Sequence, residues 1–381
     1  MTLASRRKRV LVALGTRPEA IKMGPVIRRL SECKAIEARV CATAQHRSML
    51  DDALRIFAIK PEYDLGIMKP GQTLSDIASS VLAKIDPILG EFRPDWILVQ
   101  GDTTTTMAAA LAAFHRRISV GHVEAGLRTG DLMNPWPEEA NRRITTIVTT
   151  RHYCPTERAR QSLLREGVAD DSILVTGNTV IDALLMIRDR IDGDAAFQHR
   201  AGRQFEWIDR DRWLILVTGH RRESFGQGFQ QICAALAQLA KRPDVQIVYP
   251  VHLNPNVRGP VFEVLGNNPS IHLIEPLDYL DFVYLMQRCH LILTDSGGVQ
   301  EEAPSFGKPV LVMRETTERP EGVEAGVSRL VGTNTEQIIA ESSRLLDNQQ
   351  EYNAMGRIKN PYGAGQASKL IVEDLVNAST H

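Results

Sequence analysis

Short runs of apolar residues alternate with amphipathic stretches along almost the whole chain. The apolar runs are continuous, which is typical of parallel strands buried on both faces of a sheet. Regular alternation of such strands with helices predicts an α/β fold. The predicted strands are Val10–Leu14, Ala38–Thr43, Trp96–Gln100, Ile118–His122, His152–Cys154, Leu214–Thr218, Val245–Pro250, Ile271–Ile274, Leu291–Thr294 and Pro309–Met313.

The intervening stretches repeat their apolar residues at helical spacing. The clearest predicted helices are Met23–Ser31, Leu74–Leu89, Phe229–Leu239, Tyr279–Arg288 and Ala367–Val376. The strands form two sets divided around Leu184–Arg212, so we predict two doubly wound, Rossmann-like domains. We assign 1–183 with 362–381 to the first domain and 184–361 to the second, with the last helix expected to return to the first.

Composition excludes several classes of protein. A length of 381 residues suits about two domains, and 43% hydrophobic with 24% charged residues is typical of a globular protein. The net charge of −1 indicates neither a nucleic-acid nor a membrane partner. Five scattered cysteines without a C-x-x-C pair predict neither disulfides nor a metal site. A reducing cytoplasm is the expected location.

The segment Gly121–Arg143 concentrates carboxylates among glycines, prolines, a tryptophan and three arginines, just after a predicted strand. Loops of this length without periodicity are usually functional or disordered, and the aromatic and aliphatic residues argue against disorder. We therefore interpret the segment as a catalytic loop, with a charged surface loop as the alternative. Its carboxylates are Glu124, Asp131, Glu138 and Glu139.

Two strand ends of the first domain also carry charged residues. Thr16 and Glu19 match a capping box, so a helix N-terminus with Arg17 and Lys22 beside it could bind an anion. The alternative is a well-capped helix with solvated basic residues. Asp102 directly follows a strand, where open α/β sheets bind ligands, although it could also be a helix N-cap.

The second domain repeats this arrangement at three strand ends. His220 and Arg221 follow one strand, where the histidine could bind phosphate or transfer protons. His252 follows the next, and we favour a binding or structural role for it. The third ends in Asp-Ser-Gly-Gly before a helix, a pattern that brings backbone N–H groups close to a diphosphate. The residues assigned to that site are Ser296, Gly297 and Gly298, with Glu302 as an acceptor for ribose hydroxyls.

Taken together, these motifs resemble the non-hydrolysing UDP-N-acetylglucosamine 2-epimerases. The resemblance rests on GTRPEAIKMGPVI, TAQHRSML, QGDTTTT, HVEAGLRTGDLMNPWPEEANR, TGNTVIDAL, VTGHRRESFGQGF, YPVHLNPNV, TDSGGVQEEAPSFGKPVLV and RETTERPEGVEAG, in that order. It implies a GT-B-like α/β fold with a central cleft and a C-terminal helix that crosses back. It also implies a homodimer that needs no cofactor.

The implied reaction is reversible C2 epimerisation of UDP-N-acetylglucosamine, through elimination of UDP to 2-acetamidoglucal and re-addition, for surface polysaccharide synthesis. By the same resemblance, the catalytic residues are Asp102, Glu124, Glu138 and His220. Which acid acts on which face of C2 stays open. The implied substrate contacts are Arg17, Lys22, Arg142, Arg221, His252, Ser296, Gly297, Gly298 and Glu302.

One departure concerns activation by substrate. Some members bind a second substrate molecule through a Q-H-R-[QE] block and an Arg-Gln pair. Here Gln45 begins Q-H-R but Ser48 follows, and Gly71 precedes Gln72. We therefore expect hyperbolic or weakly sigmoidal kinetics. The alternative functions are a GT-B glycosyltransferase, an epimerase for a 2,3-diacetamido uronic acid relative, a hydrolysing epimerase and a nucleotide-sugar sensor.

Overall fold

The computed structural model describes residues 6–43, 47–69 and 71–378. The chain forms two compact units, which we call the first and second domains. Residues 1–183 with 363–381 make up the first domain, and Leu184–Tyr362 the second.

Each domain contains one parallel sheet. The strands of the first are β1 Lys8–Leu14, β2 Ile36–Ala42, β3 Tyr63–Asp64, β4 Trp96–Gln100, β5 Ser119–Val123, β6 Arg151–Cys154 and β7 Ile173–Val175. Those of the second are β8 Trp213–Thr218, β9 Val245–Pro250, β10 Ile271–Ile274, β11 Leu291–Thr294, β12 Val310–Val312 and β13 Ser328–Leu330. Within the described residues, the order is β3-β2-β1-β4-β5-β6-β7 in the first sheet and β10-β9-β8-β11-β12-β13 in the second.

Helices connect these strands in both domains. They are α1 Arg17–Glu32, α2 Arg47–Ile56, α3 Leu74–Phe92, α4 Thr104–His115, α5 Glu138–Val148, α6 Glu157–Arg165, α7 Thr179–Gly193, α8 Ala195–Gln204, α9 Gln227–Leu239, α10 Pro255–Leu265, α11 Tyr279–Arg288, α12 Gly297–Glu302, α13 Pro320–Ala325, α14 Thr335–Asp347, α15 Gln349–Gly356 and α16 Ala367–Asn377. The predicted fold class, two doubly wound α/β domains, is confirmed.

The central strands are buried on both faces, as their continuous apolar runs predict. All five residues of β4 and of β5 are buried. Burying such runs supplies the main favourable free energy of folding. Because strands are parallel, their carboxyl ends meet at one edge of each sheet, and every predicted site motif begins there.

Helix α16 belongs to the first domain and packs on α1. Asp182 accepts hydrogen bonds from the backbone N–H groups of Ala367 and Ser368, at 3.1 and 2.9 Å, and from the Ser368 hydroxyl at 2.6 Å. Asp374 pairs with Arg151 of β6 at 2.5 Å. The expected return of the last helix is therefore observed.

One local prediction is wrong, and one of the alternatives is excluded. The segment Gly121–Arg143 is not one loop, because it starts within β5 and ends within α5, so that Glu138 and Glu139 lie in a helix. Asp102 does not cap α4, since Thr103 is the N-cap and accepts from the backbone N–H of Thr106 at 3.1 Å.

Other sequence features stand as follows. Four cysteines are buried and Cys33 is half-buried, and all five are free thiols. Among the helices that the structure describes, none combines the length and apolar character needed to cross a membrane. No group of three or more His, Cys, Asp or Glu side chains suited to a metal ion occurs in the described part of the chain.

Candidate active site

Glu124 lies at the carboxyl edge of the first sheet, immediately after β5. Its backbone is left-handed, with φ of 64°, a conformation that non-glycine residues seldom adopt and that is typical of functional sites. The side chain is only 7% exposed and accepts hydrogen bonds from Lys22 Nζ at 2.5 Å and Asn178 Nδ2 at 3.0 Å, both at Oε1. Gln100 Nε2 donates to Oε2. Three donors therefore hold this carboxylate in one orientation.

Lys22 reaches Glu124 because helix α1 begins directly after β1. Thr16 and Glu19 form the predicted capping box. Glu19 is buried and accepts from the backbone N–H groups of Gly15 and Thr16 and from the hydroxyls of Thr103 and Thr106. Burial raises the pKa of Glu19 above its usual value, and these hydrogen bonds oppose the rise. Glu19 thus ties the start of α1 to the start of α4.

Asp102 is joined to helix α5. Its Oδ2 accepts from Arg142 Nη2 at 2.6 Å, and its backbone oxygen accepts from Asn141 Nδ2 at 2.9 Å. The Arg142 side chain is 11% exposed and also contacts Glu139 at 3.2 Å. Arg142 therefore contacts two first-domain carboxylates, and its assignment as a substrate contact stays a prediction.

Glu138 and Glu139 open α5 but have different surroundings. Glu139 is fully buried and accepts from the backbone N–H groups of Thr129 and Gly130 and from the side chains of Arg142 and Arg143. Glu138 is half-buried, and its Oε2 is a buried atom without a hydrogen-bond partner among the described residues. Such an unpaired buried oxygen is uncommon and needs an explanation, which a bound ligand would supply.

Two histidines of the first domain, His122 and His152, are buried. Burial lowers the pKa of His122 to about 3 and that of His152 to about 4, so both rings are neutral at neutral pH. Both are buried packing residues.

In the second domain, Asp295 organises the residues that follow β8. Its Oδ2 accepts from the backbone N–H groups of His220 and Arg221, each at 2.7 Å, and its Oδ1 lies 3.3 Å from His220 Nδ1. The His252 ring stacks on the His220 ring at a centroid distance of 5.5 Å. Burial lowers the pKa of His220 below its usual value, whereas the negative charge of Asp295 opposes this.

The Asp-Ser-Gly-Gly turn lies on the neighbouring strand end, between β11 and α12. Ser296 is the N-cap of α12, and its side chain makes no capping hydrogen bond. A Cβ atom on Gly297 would lie 3.8 Å from the Arg319 guanidinium and 4.0 Å from that of Arg221, so two cations border this turn. Glu302 is 8% exposed and accepts from the Tyr279 hydroxyl at 3.4 Å.

Several residues of these clusters have no role in the sequence-based assignment. Gln100, Asn178, Asp295 and Arg319 bind or border predicted site residues, and Arg319 pairs with the buried Glu301. Each of the first three follows or ends a strand, which is the only signal that could have identified them. Gln45, assigned to a possible allosteric site, lies outside the described residues.

Comparison with known proteins identifies the family to which the chain belongs. A family model for UDP-N-acetylglucosamine 2-epimerase matches residues 28–376. The chain belongs to the UDP-N-acetylglucosamine 2-epimerase family. One relative in this family, the UDP-N-acetylglucosamine 2-epimerase of Escherichia coli K12, is 59% identical over 370 residues, which cover 97% of this chain and 98% of that protein.

Solved structures of the family agree in fold. A UDP-GlcNAc 2-epimerase from Neisseria meningitidis bound to UDP-GlcNAc is 50% identical with a TM-score of 0.90, covering 97% of this chain and 100% of that one. The enzyme from Methanocaldococcus jannaschii, in complex with UDP-GlcNAc and UDP, is 34% identical with a TM-score of 0.80 and the same coverage. The family resemblance inferred from sequence motifs is confirmed.

Proposed function

We propose that this chain reversibly epimerises C2 of UDP-N-acetylglucosamine to give UDP-N-acetylmannosamine. Family membership and the ligands of its structural relatives support the substrate. The observation that carries the chemistry is the carboxylate set of the first domain: Asp102 and Glu124 follow β4 and β5, and Glu138 opens α5, the helix whose Arg142 contacts Asp102. Inverting a carbon through proton transfer needs such groups.

We propose elimination followed by re-addition. A base removes the C2 proton, the C2–H electron pair forms the C1–C2 double bond, and UDP departs with the C1–O electron pair. UDP oxygen then attacks C1 of the 2-acetamidoglucal, and a proton is delivered to C2 from the opposite face. No electrons are gained or lost overall, so this sequence requires no redox cofactor.

Glu124 is suited to be one of the proton-transfer bases. An ionised carboxylate only accepts hydrogen bonds, and the donors Lys22, Gln100 and Asn178 all stabilise that form. We assign Asp102, Glu138 and His220 to the remaining proton transfers. Glu138 has an unpaired buried oxygen available to a ligand.

We assign the leaving UDP to the second domain. The Ser296–Gly298 turn offers backbone N–H groups and is bordered by the guanidinium groups of Arg221 and Arg319. Stabilising the departing diphosphate is the main requirement, because the C2 proton is only weakly acidic. Glu302 would accept from ribose hydroxyls, and Arg17 and Lys22 remain proposed substrate contacts. Cytoplasmic synthesis of surface polysaccharide precursors is the corresponding cellular role.

The test is deuterium exchange at C2. Purified protein incubated with UDP-N-acetylglucosamine in deuterated water should yield the UDP-linked manno epimer, with deuterium at C2 seen by NMR. Free N-acetylmannosamine without a UDP-linked product would instead identify a hydrolysing epimerase. No exchange would contradict the proposal and favour a transferase or a sensor, and exchange only with a 2,3-diacetamido uronic acid sugar nucleotide would correct the substrate.

We also propose a homodimer, formed through an apolar face on α4 and α5. Three large apolar side chains are exposed there, namely Phe114 at 54%, Ile144 at 40% and Ile147 at 82%. Helices α4 and α5 pack against each other, so these three residues lie on two adjacent helices. Exposed apolar clusters of this kind mark protein–protein contacts.

Replacing Ile147 with aspartate should therefore convert a dimer to a monomer, as measured by size-exclusion chromatography with light scattering, because a charge would be buried in the interface. Val376→Asp is the matched control, since Val376 is 39% exposed in the same domain and belongs to α16, which packs on α1. A dimer that survives Ile147→Asp would exclude this interface.

A further inference from the structure

We propose that Asp295 is a positioning residue for His220, holding a proton on Nδ1 so that Nε2 is the atom that exchanges protons with the substrate. The inference rests on the proposed function, in which His220 is one of the proton-transfer groups. Neither the sequence motifs nor the family comparison gives Asp295 a role. The role that we propose for Asp295 comes from its contacts within the second domain.

The Asp295 carboxylate has one available orientation. Both the His220 and the Arg221 backbone N–H groups donate to Oδ2, at 2.7 Å each, and this fixes the plane of the carboxylate. Oδ1 lies 3.3 Å from His220 Nδ1 without forming a hydrogen bond to it, and it is a buried oxygen that has no hydrogen-bond partner among the described residues. In our proposal this oxygen accepts from Nδ1 when the ring turns towards it. The Asp295 side chain is 1% exposed while that of His220 is 42% exposed, so the buried acid lies behind an accessible imidazole.

Sheet register brings the two residues together. Strands β8 and β11 are neighbours, and Thr218 pairs with Thr294 at their carboxyl ends. The hydroxyl oxygens of these threonines lie 2.5 Å apart. The Asp295 backbone N–H donates to the backbone carbonyl oxygen of Thr218 at 3.1 Å. Asp295 and His220 therefore lie one and two residues beyond a paired position, in connections that start directly at the ends of β11 and β8. Such support gives the precise placement that proton transfer requires.

A carboxylate can only accept a hydrogen bond, so the imidazole nitrogen facing it must be the donor. Neutral His220 therefore carries its proton on Nδ1, and Nε2 keeps a lone pair that can accept one. The charged or titratable groups around the ring are Asp295, Arg221 and His252. Burial, Arg221 and His252 lower the pKa of His220, whereas Asp295 raises it. Removing the charge of Asp295 should therefore lower this pKa further.

The informative variant is Asp295→Asn. Only the amide oxygen can accept from the two backbone N–H groups, so the amide nitrogen is forced towards Nδ1 and donates to it. His220 must then carry its proton on Nε2 and cannot accept another there at neutral pH. The kcat for epimerisation should fall by about 100-fold or more, while KM changes by less than about threefold. The same reasoning applies to Asp-to-Asn exchange beside the histidine of serine proteases.

The pH profile gives a second measure. If His220 acts as a base, activity rises as pH increases through its pKa. In Asp295→Asn this rise in activity, the acidic limb of the pH profile, should occur at lower pH. The reason is that the variant lacks the Asp295 carboxylate, which stabilises the protonated imidazole of His220. A variant that loses activity with an unchanged acidic limb would indicate a structural defect and overturn the inference.

A third measure does not depend on catalysis. The ¹⁵N NMR signals of the His220 imidazole, assigned by their loss in His220→Gln, should show the proton on Nδ1 in the unmodified protein and on Nε2 in Asp295→Asn. A wild-type proton on Nε2 would overturn the inference even if the protein is an epimerase. Conversely, failure of C2 exchange in the wild type would refute the proposed function, and the tautomer would still decide the role of Asp295.

Asp281→Asn is the matched control. Asp281 is another buried aspartate of the second domain, 5% exposed, and it pairs with Arg200 at 2.6 Å. It belongs to none of the site clusters, so its variant should keep the wild-type kcat, acidic limb and His220 tautomer. The same changes in this control as in Asp295→Asn would show that the effect is not specific, and would overturn the inference.

Discussion

Replacing Glu124 with glutamine should lower the rate of C2 deuterium exchange by about 1,000-fold, within the range typical for removing a proton-transfer group. Glutamine has a similar volume but cannot take up the C2 proton. Its amide nitrogen would also face either Gln100 or the pair Lys22 and Asn178, so at least one donor would lose its acceptor. We expect kcat to fall far more than KM, measured by NMR exchange and steady-state kinetics.

Asp182→Asn separates this effect from a loss of buried hydrogen bonds. Asp182 is also a buried carboxylate of the first domain, 6% exposed, and also accepts from three donors. Its variant should lose stability yet retain C2 exchange per folded molecule. If Glu124→Gln and Asp182→Asn reduced exchange equally, Glu124 would be a structural residue and our assignment would be wrong.

The neighbouring acids Glu138 and Glu139 should give opposite results. Glu139→Gln leaves the arginine side chains of Arg142 and Arg143 without their buried counter-charge. Breaking a buried ion pair costs about 3 kcal/mol or more. For a domain of this size, that corresponds to a fall in the melting temperature of about 6–12 °C. Thermal unfolding followed by circular dichroism should show this fall in the first domain.

Glu138→Gln, in contrast, should keep the wild-type melting temperature and lower C2 exchange by about 100-fold. No described side chain makes a hydrogen bond to Glu138 Oε2, so the substitution removes a proton-transfer group without leaving a hydrogen-bond donor unpaired. A large loss of stability in Glu138→Gln, or full activity in a well-folded sample of it, would contradict the assignment. The pair uses the same substitution at adjacent helix positions, so each variant controls for the other.

The long central strands are predicted well because the continuous apolar runs that indicate their burial are local features of the sequence. The predicted bounds of Trp96–Gln100, Val245–Pro250 and Leu291–Thr294 are those of the structure. The strands missed are Tyr63–Asp64, Ile173–Val175 and Ser328–Leu330, and each lies at an outer edge of its sheet. Strands of two or three residues are too short to show a period. Their conformation comes from pairing with a neighbour distant in sequence.

The residues of the candidate site also fall into two groups, those that the local sequence identifies and those that it does not. Glycine-rich turns and charged strand ends identify Asp102, Glu124, His220 and Ser296 as site candidates. The supporting residues cannot be identified locally, because Asn178 contacts Glu124 across 54 residues and Asp295 contacts the His220 backbone across 75. Parallel sheet register creates these contacts. The local sequence does not distinguish an amide or acidic residue that follows a strand and supports the site from an ordinary turn residue.

The path of the chain has a consequence for synthesis. The first domain needs α16, whose backbone binds Lys8 at the start of β1 and whose Asp374 binds Arg151. The second domain is one uninterrupted stretch of chain. Nascent chains emerge from the ribosome N-terminus first, and domains fold as units. The first domain is therefore completed only once α16 has emerged, which is later than the whole of the second domain.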